Sequence, residues 1–116
     1  MSVQPVIAIF DVGKTNKKFL LFDEQYKLVW EESCSLAEIT DEEGYPCEDV
    51  HALTEWVWTT YWHAVSQMNT FEIRAINFSG YGASFVYLDD YYKPFTPLYN
   101  YLNPYPEHLH KQFYDT

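Results

Sequence analysis

The chain has 116 residues, room for one hydrophobic core and short for an enzyme that must hold two substrates. Its 47% apolar and 20% aromatic content exclude a disordered chain, and 17 acidic against 7 basic residues, a formal net charge of −10, exclude the basic face that nucleic-acid backbones or anionic membranes call for. No run approaches the roughly 20 apolar residues of a membrane span, and Met1 to Pro5 shows no charged-then-apolar signal pattern. Two cysteines, Cys34 and Cys47, make no disulfide framework, so a cytoplasmic location is expected.

Val6 to Phe10 reads as a first strand, buried on both faces because its apolar run is continuous, and Lys17 to Phe22 as its antiparallel partner. The turn between them carries Asp11, Gly13, Lys14, Thr15 and Asn16. With Lys17 and Lys18 it gathers three of the seven basic residues within five positions, a local reversal of sign that points to an anionic ligand. Gly13 permits a positive φ and a close backbone approach, so successive N–H groups can line an anion site. Thr15 and Asn16 add side-chain hydrogen bonds. Asp11 is repulsive beside an anion unless a cation lies between, and Mg²⁺, held through one carboxylate, waters and phosphates, resolves the conflict. The same residues also read as an ordinary hairpin with solvated lysines.

Gly13-Lys14-Thr15 looks like the end of a P-loop, but the first glycine of that motif falls on Ala8. The segment after the turn, Phe19 to Phe22, has a strand pattern where a P-loop opens a helix. The hairpin is therefore strand-turn-strand.

Asp23-Glu24-Gln25 makes the next turn, and Tyr26 to Ser33 a third strand. A polar loop from Thr40 to Gly44 follows. Asp49 then caps a helix from about His51 to Gln67, whose buried face is marked by Val50, Leu53, Val57, Tyr61, Ala64, Val65 and Met68 at three- and four-residue spacing. Trp56, Trp58 and Trp62 make this helix apolar on more than one side. Ile73 to Phe78 reads as a fourth strand ending at Ser79-Gly80-Tyr81-Gly82, and Ser84 to Leu88 as a fifth, turned by Asp89-Asp90.

The fold class is α/β, with a mixed sheet of about five strands: three antiparallel, a helical crossover, then a strand parallel to the first. Ligands in such sheets sit at the strand ends, where the hairpin and the Ser79 to Ala83 loop are expected to meet. From Tyr91 to Thr116 the chain is rich in Tyr, Pro and Asn and reads as the approach to a missing remainder, or else as a packed aromatic arm. His108 and His110 lack the further ligands a zinc site needs, and Cys34 and Cys47 read as small buried groups.

Two stretches carry a resemblance to a known family. Phe10-Asp11-Val12-Gly13-Lys14-Thr15-Asn16-Lys17-Lys18 is similar to the phosphate motif Asp-x-Gly-Thr-Thr-Ser plus a basic residue of the FGGY carbohydrate kinases, in the actin-like, ribonuclease-H-like ATPase superfamily. Ile76 to Asp89 resembles that family's Ser-Gly-Gln-Met-His-Gly followed by an apolar strand and Asp. The resemblance covers nearly the whole chain but only about the first quarter of a typical member, so residues 1–116 are expected to be a single partial domain of a two-domain sugar kinase.

The resemblance implies ATP and Mg²⁺ as cofactors and transfer of the γ-phosphoryl group to a hydroxyl of a ketose or polyol. It implies phosphate binding by Gly13, Lys14, Thr15, Asn16 and Lys18, Mg²⁺ approached by Asp11 through water, and the acceptor near Tyr81, Gly82 and Ala83. Gly82 and Ala83 fall on the family's Met-His pair, Lys14 departs from its Thr, and Tyr99 to Pro104 stands where relatives carry Trp-x-Asp-x-Arg. The family's catalytic base lies well downstream, so no catalytic residue is expected in this stretch, which alone should be inactive. Expected partners are ATP, a sugar and the remainder of its own chain, with a homodimer left open and neither nucleic acid nor membrane. The rival expectation is a non-catalytic actin-like half-domain that binds a partner protein through its Tyr-rich arm.

Overall fold

The computed structural model describes residues 3–66, 68–99 and 107–114. Its centre is a four-stranded mixed sheet built from β1 (Gln4–Val12), β2 (Lys17–Phe22), β3 (Leu28–Cys34) and a later strand, β6 (Phe71–Gly80), in the order β3-β2-β1-β6. β1 pairs antiparallel with β2 and parallel with β6, and β2 pairs antiparallel with β3. The meander, the helical crossover and the parallel return follow the reading of the sequence. So does the strand-turn-strand form of the first hairpin.

Burial alternates along β1 and β2. Val6, Ala8 and Phe10 face inward beside Phe19 and Leu21, while Ile7, Ile9, Leu20 and Phe22 are half-buried. The continuous apolar run suggested two buried faces; among the described residues helix α1 (Val50–Ser66) covers one. Asp49 caps this helix, its carboxylate accepting the backbone N–H of Ala52 at 3.0 Å. Ala64 packs into the core, flanked by Trp56, Val57 and Tyr61. Phe10 is the hub: its ring centroid lies 4.9 Å from Phe19, 5.6 Å from Trp56 and 5.2 Å from Phe78.

The expected fifth strand, Ser84 to Leu88, does not join the sheet. It pairs with its own continuation: Leu88 bridges Pro94, and Phe95 N–H donates to the Tyr87 carbonyl at 3.1 Å. Pro94 and Pro97 lack the N–H groups a ladder needs, which favours this short irregular hairpin over a sheet strand. The polar loop at Thr40 to Gly44 proves to be the tip of a small hairpin, β4 (Ile39–Thr40) with β5 (Pro46–Cys47). A helix α2 (Glu107–Tyr114) lies within the Tyr-rich stretch, where the sequence suggested none. Of the aromatic residues in that stretch, Tyr101 and Tyr105 lie outside the described residues. No described helix is long and apolar enough to cross a membrane.

Three loops share one construction. At Asp23, Asp41 and Asp89 the carboxylate accepts the N–H groups two and four residues on, and the residue three on has a positive φ: Tyr26 at 65°, Gly44 at 89° and Tyr92 at 63°. The aspartate side chain substitutes for a backbone acceptor, and the left-handed residue closes the loop.

Candidate functional site

The turn between β1 and β2 is tight for a local reason. A Cβ at position 13 would stand 2.6 Å from the carbonyl oxygen of Asn16, so only glycine lets the chain fold back there. The close approach expected of Gly13 is realised, but the positive φ expected with it is not: its φ is not among the positive ones. Lys14 is half-buried, Thr15 and Asn16 are exposed, and Asn16 Oδ1 accepts the Ser35 hydroxyl at 3.2 Å.

Strand alternation separates the two lysines that follow. Lys18 pairs with Asp11 across the ladder and lies half-exposed, with Glu31 Oε1 3.8 Å from its ammonium, a contact of little energetic weight in solvent. Lys17 points to the opposite face with Phe19 and Leu21 and is 1% exposed. Its ammonium donates to Glu48 Oε2 at 3.3 Å and to the Lys14 carbonyl at 3.2 Å. A buried lysine keeps its charge only with such partners. The cationic cluster read from the turn therefore divides: Lys17 is buried, while Lys14 and Lys18 are each partly exposed.

Glu48 carries the second half of the arrangement. It is 6% exposed, directly precedes the helix cap Asp49, and its Oε1 accepts the Tyr81 hydroxyl at 2.7 Å. Burial, and then donation to Glu48, pushes the Tyr81 phenol well above its ordinary pKa, while Ser84 beside it pulls weakly the other way. Tyr81 N–H also donates to the Val12 carbonyl at 3.3 Å. The loop after β6 thus lies against the end of β1, with Asp11 opposite Ser79 and Val12 opposite Gly80. Gly82 is exposed, and Ala83 has a φ of 59°, a left-handed conformation unusual outside glycine.

Asp11 is half-buried at the head of β1, between Lys18 and Ser79. Asp11, Gly13 to Asn16 and Lys18 lie on one hairpin, and Tyr81 to Ala83 on the loop beside it. Lys17 and Glu48 complete the group from beneath. Sequence reasoning left Glu48 unassigned and counted Lys17 in the basic cluster of the turn. The signal for Lys17 was available: it is two and four residues from Phe19 and Leu21, so period-two alternation places it on their face.

Other features stand apart. A groove of about 580 Å³ between Glu32 and the exposed Trp58, Trp62 and His63 shares no residue with the hairpin. Burial raises the thiols of Cys34 and Cys47, with acidic neighbours adding to it at Cys47, which keeps both protonated. Tyr99 donates to Asp41, which holds that carboxyl below its usual range and pushes the phenol up to about 12. Tyr91, Tyr92 and Phe95 are exposed. Among the described residues, no three His, Cys, Asp or Glu side chains converge on a common point.

No curated protein matches the chain by sequence. Solved structures do match by fold. Glycerol kinase from Plasmodium falciparum with ADP superimposes with a TM-score of 0.84 at 15% identity, covering 100% of this chain and 24% of that one. Gluconate kinase from Lactobacillus acidophilus gives 0.69 at 24% identity, covering 84% and 20%, and xylulose kinase from the same organism 0.68 at 24%, covering 83% and 19%. The fold is that of the actin-like ATPases, and the chain spans less than a quarter of each of these kinases. Residues 6–104 match the N-terminal domain of the FGGY family of carbohydrate kinases, and the chain belongs to that family.

Proposed function

We propose that these residues form the N-terminal side of a site that transfers the γ-phosphoryl group of ATP to a hydroxyl of a ketose or polyol. The observation that carries this reading is the contact between the two motifs: the turn after β1 and the loop after β6 leave adjacent parallel strands, tied by Tyr81 N–H to the Val12 carbonyl. Nucleotide phosphates meet the backbone of Gly13 to Asn16, with Lys14 and Lys18 supplying charge. The acceptor lies toward Tyr81, Gly82 and Ala83. The close approach at Gly13 fits a cradle of N–H groups that a side chain would fill.

Asp11 suits Mg²⁺, a cation that takes one or two carboxylates and keeps several waters. When bound, Mg²⁺ would supply positive charge against the negative charge that develops in transfer. Asp11 orients its water shell from the head of β1, and the turn fixes the phosphates in line with the acceptor loop. In this reading the general base and the adenosine pocket come from polypeptide outside residues 1–116, as does the closure that excludes water. The same polypeptide is the partner of the sheet. Free thiols at Cys34 and Cys47 support a reducing, cytoplasmic setting.

The test is an assay of the full natural polypeptide with ATP and Mg²⁺ against a panel of ketoses, polyols and aldoses. Asp11→Ala is expected to lower kcat by about 10²- to 10³-fold with the fold intact by circular dichroism. An Asp11→Ala enzyme of full activity would sink the assignment.

A further inference from the structure

We propose that Glu48 is a positioning residue that couples the phosphate turn to the acceptor loop through one chain of contacts. The chain runs from the Tyr81 hydroxyl to Glu48, from Glu48 to Lys17, and from Lys17 to the backbone of Lys14. The inference rests on the functional reading above, in that it gives the two ends of the chain their meaning.

Both oxygens of the Glu48 carboxylate are used, Oε1 by Tyr81 at 2.7 Å and Oε2 by Lys17 at 3.3 Å. Its backbone is fixed as well, because Glu48 N–H donates to the Leu98 carbonyl at 2.7 Å and the next residue caps α1. The carboxylate therefore sits just ahead of the capped start of α1. Hydrogen bonds to ionised groups are the stronger class, and the burial of Glu48 and Lys17 strengthens them further.

The consequence at the far end follows from peptide geometry. Lys17 donates to the Lys14 carbonyl, turning that oxygen inward. The Lys14–Thr15 peptide is planar and trans, so the Thr15 N–H must point the opposite way, outward from the buried ammonium. That is the direction from which an anion reaches the turn. Lys17 thus acts without touching a ligand: its charge is spent on Glu48, and its geometry aims an amide. Tyr81 acts at the near end, since its hydroxyl holds the carboxylate and its N–H holds the end of β1. A shift of the acceptor loop is transmitted to the phosphate turn through groups that are all satisfied only in one arrangement.

The experiment compares wild type, Tyr81→Phe and Glu48→Gln in the full natural polypeptide. Tyr81→Phe removes one hydroxyl and leaves the Lys17–Glu48 pair. Glu48→Gln keeps the shape but offers one acceptor oxygen to two donors. The readouts are kcat, the KM values for ATP and acceptor, the thermal midpoint, and amide hydrogen exchange across residues 13–16. Tyr81→Phe is expected to lower kcat about tenfold, the worth of one hydrogen bond to a charged group, with acceptor KM within about twofold. Exchange across residues 13–16 should quicken by a similar factor, and Glu48→Gln should show both effects more strongly.

A rise in acceptor KM with unchanged exchange in the turn would make Tyr81 a direct substrate contact and overturn the coupling. A lowered thermal midpoint with wild-type kcat and wild-type exchange would reduce the chain of contacts to packing, and overturns it too. Should the wild-type protein phosphorylate no sugar, the kinase reading falls, and exchange across residues 13–16 still decides whether Tyr81 controls the turn.

Discussion

β1 and β6 lie side by side in parallel register with similar sequences, Ile7-Ala8-Ile9-Phe10 against Ala75-Ile76-Asn77-Phe78, yet their fates differ. Val6, Ala8 and Phe10 are buried, while Ile76 is 42% and Phe78 57% exposed. Local propensity is nearly the same in both. Position in the sheet decides: α1 packs against both strands, but β1 has a strand on each side, whereas β6 is an edge among the described residues. Burial belongs to neighbours as much as to sequence.

The sharpest way to break the comparison is to truncate the stacked pair of rings one at a time. Phe10→Ala is expected to cost about 3–5 kcal/mol, and Phe78→Ala only about 1 kcal/mol, read from denaturant midpoints at constant m. Equal losses would mean that β6 is covered in solution. The two neighbouring lysines make the same contrast between faces. Lys17→Met should cost about 3 kcal/mol by stranding the buried Glu48 charge, Lys18→Met less than about 0.5 kcal/mol, and adding Glu48→Leu to the first should recover much of the loss.

Smaller effects test the local devices. Asp49→Ala should cost about 1 kcal/mol by removing the cap of α1, and Ala83→Gly should leave stability unchanged or raise it by up to about 1 kcal/mol, because glycine adopts a positive φ without strain. The last prediction concerns pH. The phenols of Tyr81 and Tyr99 are raised in the folded state, so folding favours their protonated forms. That contribution is complete below the unfolded tyrosine value of about 10 and is lost as pH rises through the folded values. For Tyr99 the window closes at about 12. Tyr81→Phe should flatten the alkaline limb of the stability curve, measured by urea unfolding between pH 9 and 11 or so.

Most of the sheet was legible because its signals are local. The hairpin, the turn at Asp23 and the cap at Asp49 each rest on residues within a few positions of one another. The mistaken fifth strand shows the limit: Ser84 to Leu88 has the alternation of a strand, but the Asp89 loop turns it onto Pro94 and Phe95 and not onto the sheet, a choice of partner that alternation does not report. At Gly13 the close backbone approach was legible, whereas the positive φ expected there is not adopted. Glu48 was invisible because its value lies in two partners, Lys17 and Tyr81, that are 31 and 33 residues away. No periodicity reports a contact of that kind.

The three aspartate-closed loops bear on how the chain reaches its fold. Each needs only five consecutive residues, so the β2–β3 hairpin, the β4–β5 hairpin and the Leu88–Pro94 bridge can each form on the roughly 1–10 μs scale of isolated hairpins. The parallel pairing of β1 with β6 has no such shortcut, because Val6 must find Ile73 after α1 has formed between them. The rate-limiting event is then the closing of that one long loop. Substitutions at the aspartates should then slow folding far more than they speed unfolding.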